Sequence, residues 1–402
     1  MLTVKTPQEA AEVIFSRFYA LGGHADAVPV PSSLGRVLYG DVVASEFVPG
    51  FDRSTVDGYA VIASDTFGCS DSMPAVLTLG GEVLMGEAAP GALRPGHCVA
   101  VPTGGDLPEG ADAVVMLEHT EDYGGGLVGI FDPAAPGSNI IFRGDDTSPG
   151  DLALRAGTVI SPSDIGILSA LGYIAVDVRR KPVVGVISTG DELVVPSMAP
   201  GRGQVRNVNS PMLAAAMVRA GADARDYGIV RDSEAELRDA VMRAASDCDV
   251  VLVSGGSSAG ARDMTARVIE SAGEVLLHGI AMKPGKPTIL GDIGGKPVFG
   301  LPGHPVAAFF VTELFVRPLV ARLMGAALKR RAVVAEIAEA VSSNHGRAEY
   351  MAVFLDDGGR AARPIRGKSG LITNLAGADG YICIPRDSEG LPARAPVEVF
   401  LF

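Results

Sequence analysis

The chain has 402 residues, 47% hydrophobic and 20% charged, with a net charge of −13 at pH 7. That composition is globular and long enough for two to four domains, which excludes a disordered chain, and its acidity, with no basic stripe, argues against a nucleic-acid partner. Cys69, Cys98, Cys248 and Cys383 lie far apart with no CxxC pair, giving neither a zinc ligand set nor a disulfide framework, as expected in a reducing cytosol.

Thr6-Pro7-Gln8-Glu9 reads as a capping box with proline at the first helical position, and it opens an amphipathic helix that Gly22-Gly23 should end. No signal-peptide pattern and no apolar run of spanning length are present, so a soluble cytoplasmic protein is expected. From about residue 27 to 140, short alternating runs such as GHCVAVP and ADAVVMLEH are broken by Gly, Pro, Asp and Ser, the texture of an antiparallel β domain. Two polar loops stand out there: FDRSTVDGYA, with Asp52 and Asp57, and Thr103-Gly104-Gly105-Asp106. Taken singly, each reads equally well as an ordinary turn. After Arg143-Gly144-Asp145-Asp146 the pattern turns helical again. Ser161-Pro162 caps a helix that stops at Gly172 and is expected to pack with the N-terminal helix, building one elongated domain from both sides of the β insertion.

Between Val183 and Pro305 the texture changes to nearly uninterrupted apolar runs, each followed by a loop rich in Gly, Ser, Asp or Lys. VVGVIS runs into Thr189-Gly190-Asp191-Glu192, and DVVLVS into Gly255-Gly256-Ser257-Ser258 and then Asp263. HGIAM runs into Lys283-Pro284-Gly285-Lys286-Pro287, and PVFGL into Pro302-Gly303-His304-Pro305. Such runs, with amphipathic helices starting at Ser210-Pro211 and at Asp232 or Ser233, predict a doubly wound α/β domain with a parallel sheet. In such a sheet ligands gather at the carboxyl ends of the strands. The Gly-Gly-Ser-Ser turn would offer N–H groups and hydroxyls to an anion. Lys283 and Lys286 would aim two ammonium groups at one place, and Asp191, Glu192 and Asp263 would suit a hard cation such as Mg²⁺. Each piece has a bland reading as a solvated turn; together they predict an anion site with its own counter-cation ligands. Past about residue 326, RAVVAEIAEAV, AEYMAVFL, GYICIP and VEVFLF predict a small β-barrel. The expected domains are 1–26 with 141–176, 27–140, 177–325, and 326–402.

FDRSTVDGYAV, TGGDLPEGADAVVMLEHT, RGDD with PGD, AGTVISPSDIGILSALGY, VISTGDEL, VSGGSSAG with Asp263, AMKPGKPTILG and FGLPGHPV occur in this order. Together they resemble the molybdopterin molybdenumtransferase family, whose animal counterpart is the E domain of gephyrin, strongly over residues 1–325 and more weakly beyond. The resemblance implies a central molybdopterin-binding, MogA-like domain, and an enzyme that takes adenylyl-molybdopterin from a molybdopterin adenylyltransferase and inserts molybdenum from molybdate with loss of AMP, assisted by Mg²⁺. It also implies a homodimer whose cleft joins the α/β domain of one subunit to the β insertion of the other.

Position by position, the resemblance assigns catalytic roles to Asp52, Asp57, Thr103, Asp146, Glu192 and Asp263, the last two as Mg²⁺ ligands. It assigns binding of cofactor or oxyanion to Thr189, Gly190, Gly255, Gly256, Ser257, Ser258, Lys283, Lys286, Pro302, Gly303, His304, Arg347 and Ser369. The chain departs from the family at Ser257, Ala261, His304 (asparagine in LPGNP) and Ala352 (a second arginine). A gephyrin-like scaffold that binds a partner peptide at the C-terminal domain is the alternative. A generic nucleotide-binding enzyme is weaker, since neither GxGxxG nor a Walker lysine motif is present.

Overall fold

The computed structural model describes residues 4–19, 25–255, 259–326, 330–356 and 358–402, and for 259–263 the backbone alone. The central sheet runs Asp223–Val230, Val183–Thr189, Val250–Gly255, Lys296–Leu301, Ile289–Ile293, Glu274–His278. The first four strands are parallel and the last two junctions antiparallel, so the sheet is mixed rather than wholly parallel. Period-two alternation splits the strands between two cores. Val184, Val186, Val250 and Leu252 face Leu213 and Met217 on one side, while Ile187, Val251 and Val253 face Leu237, Val241 and Val268 on the other.

Local signals set the helices. Thr6 caps Pro7–Arg17 with the full capping box, and Ser161 does the same for Pro162–Ala170 with Asp164. The first helix ends at Arg17, and Gly22-Gly23 lie outside the described residues. Its apolar stripe does not meet Pro162–Ala170 as expected. Ala10, Ile14 and Phe18 enter the α/β core, and Arg17 bonds Asp292 at 2.6 Å. Full burial of Ile14 contributes roughly 2 kcal/mol to that docking. Pro162–Ala170 instead packs with Val30, Leu38, Val42 and Leu154, beside paired strands Ala25–Pro29 and Ala175–Arg179. The helix expected to start at Ser210-Pro211 starts at Asn209, and Ser210 is buried in side-chain hydrogen bonds instead of capping. Ser233 caps Glu234–Asp247.

The β insertion is a six-stranded sheet, antiparallel except where Ala75–Glu82 runs parallel to His97–Val101. In the C-terminal region, Ala348–Leu355, Ala361–Pro364, Ala332–Ile337, Pro396–Leu401 and Gly380–Ile384 close on themselves as a five-stranded barrel. HGIAM is no single strand, because Gly279, at φ +100°, breaks it. Met282–Lys283 leaves the central sheet and pairs, in parallel, with Ala348 and Glu349 of the barrel. The lysine loop is thus backbone-bonded to a different domain from the one that carries it. All four cysteines are free, and burial pushes the Cys98 thiol up to about 11, so it is an unreactive core group. No helix among the described residues is long and apolar enough to cross a membrane.

Candidate functional site

Two clefts flank the loop Pro302-Gly303-His304-Pro305, and His304 lines both. The lower cleft, about 600 Å³, lies where the α/β domain meets the barrel. Four cations line it: Lys283, Lys286, Arg347 and Lys368. Its only carboxylate among the described residues is Glu349. Lys283 Nζ stands 2.8 Å from Glu349 Oε1, and Ser343 Oγ donates to Glu349 Oε2 at 2.7 Å. Lys283 is therefore committed, contrary to the picture of two free lysines, whereas Lys286, Arg347 and Lys368 are exposed and have no ion pair among the described residues. His304 Nδ1 lies 2.9 Å from Ser369 Oγ, and Val306 N donates to Ser369 O, tying the barrel loop to the α/β loop.

The upper cleft, about 720 Å³, opens at the carboxyl ends of Val183–Thr189 and Val250–Gly255. Gly255 packs so closely on the Thr189 backbone that a Cβ would collide with it. Gly190 holds φ +153°, and a Cβ there would meet the Glu192 carboxylate at 2.6 Å. Gly255 thus lets the two loops approach each other, and Gly190 lets its own loop fold tightly under Glu192. Thr189 Oγ1 is buried and donates to Asp232 Oδ1 at 2.9 Å, so its hydroxyl holds a neighbouring loop. Glu192 is exposed at the rim, and its carboxylate makes no hydrogen bond among the described residues. Asn209 forms part of the cleft wall: Nδ2 donates to Ser254 Oγ at 2.7 Å and to Gly303 O at 2.9 Å, leaving Oδ1 buried without a hydrogen bond. Gly256, Ser257 and Ser258 lie outside the described residues, as does the side chain of Asp263.

Asp52, Asp57, Thr103 and Asp146 line neither cleft. Asp52 Oδ1 accepts from Arg143 N at 2.7 Å, and Asp57 Oδ1 accepts from Thr103 N and Oγ1 at 2.7 and 3.1 Å. Asp146 is exposed, its N–H donating to Val48 O. Within one chain Asp52, Asp57 and Thr103 brace the insertion's loops, while Asp146 bonds there through its backbone N–H alone. The barrel's Arg347 and Ser369, by contrast, do meet Lys283, Lys286, Pro302 and His304. Sequence reasoning missed Glu349, Lys368 and Asn209. Glu349 was visible only as the acidic residue before Tyr350, and Asn209 only as the residue before a helix-initiating Ser-Pro.

The chain matches three family models: the MoeA N-terminal region (domain I and II) over residues 5–172, a probable molybdopterin binding domain over 185–322, and the MoeA C-terminal region (domain IV) over 334–402. It is 33% identical to a molybdopterin molybdenumtransferase of Bacillus subtilis, with 94% of this chain and 90% of that one covered. It is 34% identical to molybdopterin molybdenumtransferase 1 of Mycobacterium tuberculosis, with 92% and 93% covered. Among solved structures, a molybdopterin biosynthesis moeA protein from Pyrococcus horikoshii OT3 superposes with a TM-score of 0.89 at 33% identity, each chain fully covered.

Proposed function

Since the chain belongs to the MoeA family of molybdopterin molybdenumtransferases, we propose that it inserts molybdenum from molybdate into adenylyl-molybdopterin, with the lower cleft taking the oxyanion and the upper cleft the organic substrate. The chain is a transferase of molybdenum cofactor biosynthesis. The scaffold reading is not favoured, because the relatives of matching length carry the transferase name. The observation that carries the division of labour is the surplus of cations in the lower cleft, with three exposed basic side chains around one carboxylate that is already paired.

In this reading Lys286, Arg347 and Lys368 bind molybdate by charge-assisted hydrogen bonds. Ser369, held against His304, offers its hydroxyl to the same anion. The Gly190 and Gly255 turns let the substrate's phosphate approach the sheet edge. Glu192, a free hard-oxygen donor on the upper cleft, fits Mg²⁺, and the family resemblance supplies Asp263 as the second carboxylate. No group of three or more His, Cys, Asp or Glu able to hold a metal exists among the described residues, so water and substrate oxygens would complete the shell. When bound, Mg²⁺ supplies charge to the phosphate oxygens. Asp52, Asp57, Thr103 and Asp146 act in this reading from a second copy of the chain, in a cytoplasmic homodimer fed by the upstream adenylyltransferase. The test is turnover of adenylyl-molybdopterin with molybdate and Mg²⁺, following AMP and active cofactor together. Both should appear with the wild type, and Glu192→Gln should raise the Mg²⁺ requirement about tenfold or more. AMP release and cofactor formation both absent from a folded protein with intact substrate would overturn the reading.

A further inference from the structure

The lower cleft presents an oddity: a site lined by four cations also buries a carboxylate in its wall. Glu349 is only 6% exposed. One oxygen is held by Lys283 Nζ and the other by Ser343 Oγ, and the strand pairing Lys283↔Glu349 fixes the two backbones side by side. Both oxygens are engaged, and a carboxylate has no donor to offer an oxyanion. What remains is its charge, which offsets that of Lys283 and opposes any anion brought close. Its other effect is geometric, because a half-exposed lysine that would reach into the cleft is tied to the wall.

We infer that Glu349 is a positioning residue that weakens the cleft's hold on its oxyanion, by neutralising Lys283 and keeping its ammonium against the barrel. The advantage follows from the reaction class. An anion that must be handed to a second substrate gains nothing from being bound more tightly in its ground state. This rests on the reading of the lower cleft as the oxyanion site.

Glu349→Gln removes the charge while its amide oxygen still accepts from Lys283, and its amide N–H can donate to Ser343 Oγ, a hydroxyl that accepts as well as donates. Direct binding of inorganic molybdate to the full chain should tighten about tenfold, with a steeper loss of affinity in salt. A merely structural role cannot yield that result, since damage to the wall would weaken binding. Lys283→Met alone should weaken binding by about tenfold or more, because it leaves Glu349 charged and unpaired. Lys283→Met combined with Glu349→Gln removes both charges and should return affinity to within about threefold of wild type. Unchanged or weaker binding in Glu349→Gln overturns the proposal. So does a double variant that binds like Lys283→Met alone, and that comparison stands should the single glutamine variant fail to fold. A wild type that binds no molybdate overturns this inference together with the oxyanion reading. Binding without turnover overturns the proposed activity and leaves the inference to the binding series.

Discussion

Glu349 and Glu313 are both buried among basic side chains, yet only one faces a cavity. Glu313 is 4% exposed, in the π-helical turn Thr312–Val316 of the helical run that leads out of the α/β domain. Arg219 donates to it at 3.3 Å. Arg317 Nε stands 2.8 Å from its Oε1 but is misaligned, so both of those atoms are buried without a hydrogen bond. Burial pushes the Glu313 carboxyl above its ordinary range, and the nearby Arg317 and Arg219 only partly offset that. Neither this group nor its arginines line a cleft described above. Around Glu349 both oxygens are bonded and three further cations stand uncommitted before an open volume. The same residue types thus serve two ends. Charges that cancel in a packed wall serve architecture, and a local surplus facing solvent marks where an anion would go.

The sharpest way to break that contrast is to remove one uncommitted cation. Lys286→Ala should lower turnover by about 100-fold or more, the usual cost of losing one preorganised charged donor. Lys286 is exposed, so thermal stability should stay within about 2 °C. Arg219→Ala, at the other glutamate, should leave turnover within about twofold. If the two results were exchanged, the assignment of function to the surplus would fail.

Removing a cation from the closed cluster should show the reverse profile. Arg317→Ala leaves Glu313 buried with the half-exposed Arg219 as its one remaining ion pair and the field of Arg330. The expected cost is about 2 kcal/mol by urea unfolding, below the range for a fully buried pair because both arginines keep some solvent. Glu313→Gln removes the need for compensation and should be neutral or slightly stabilising. A loss under about 0.5 kcal/mol for Arg317→Ala would mean that the cluster holds nothing together.

A smaller effect should appear in the pH dependence. The Glu313 carboxyl is raised in the folded protein, so the folded state holds the proton more tightly than the unfolded one. Its contribution is fully present below the ordinary glutamate value of 4.5 and is lost as pH rises through the folded-state value. Wild type should therefore lose stability relative to Glu313→Gln as pH climbs from about 4.5 toward neutrality. A flat difference across that window would remove the burial penalty from the account.

How much of this was legible in the chain follows from which interactions are local. Capping at Thr6 and Ser161 needs only neighbouring residues and was readable from them. Strands buried on both faces appear as unbroken apolar runs, which is why Val183–Thr189 and Val250–Gly255 stood out. Asp223–Val230 did not, because as an edge strand it is mostly partly exposed and carries Asp, Arg and Asp along its length. The stripe Ala10, Ile14, Phe18 announced a buried face but not the surface that buries it. The Lys283–Glu349 pair was hidden for the same reason, since a cross-domain strand pairing leaves no trace in local spacing. The loops with Asp52 and Asp57 were legible as polar motifs. In one chain they are consumed by Arg143 N and Thr103, so their catalytic part awaits the second subunit of the proposal.

The smallest expected effect concerns the family departure at His304. Histidine there looks like a loss, yet the imidazole Nδ1 occupies the position, two bonds from Cβ, that an asparagine amide group would fill. That is the atom 2.9 Å from Ser369 Oγ. Because Ser369 also accepts from Val306 N through its carbonyl, the loop is already half anchored before the side chain contributes. Asparagine should therefore rebuild the bond: His304→Asn is expected to change KM for molybdate by less than about threefold and to leave kcat unaltered, while His304→Ala releases the serine and raises KM by about tenfold, the cost of one charge-free hydrogen bond. Steady-state kinetics at varied molybdate separates these outcomes. A large kcat effect in the asparagine variant would show that the ring itself, shared by both clefts, takes part in the transfer, and the contrast between an open, anion-seeking cleft and a closed structural cluster would then have to include the loop that divides the two clefts.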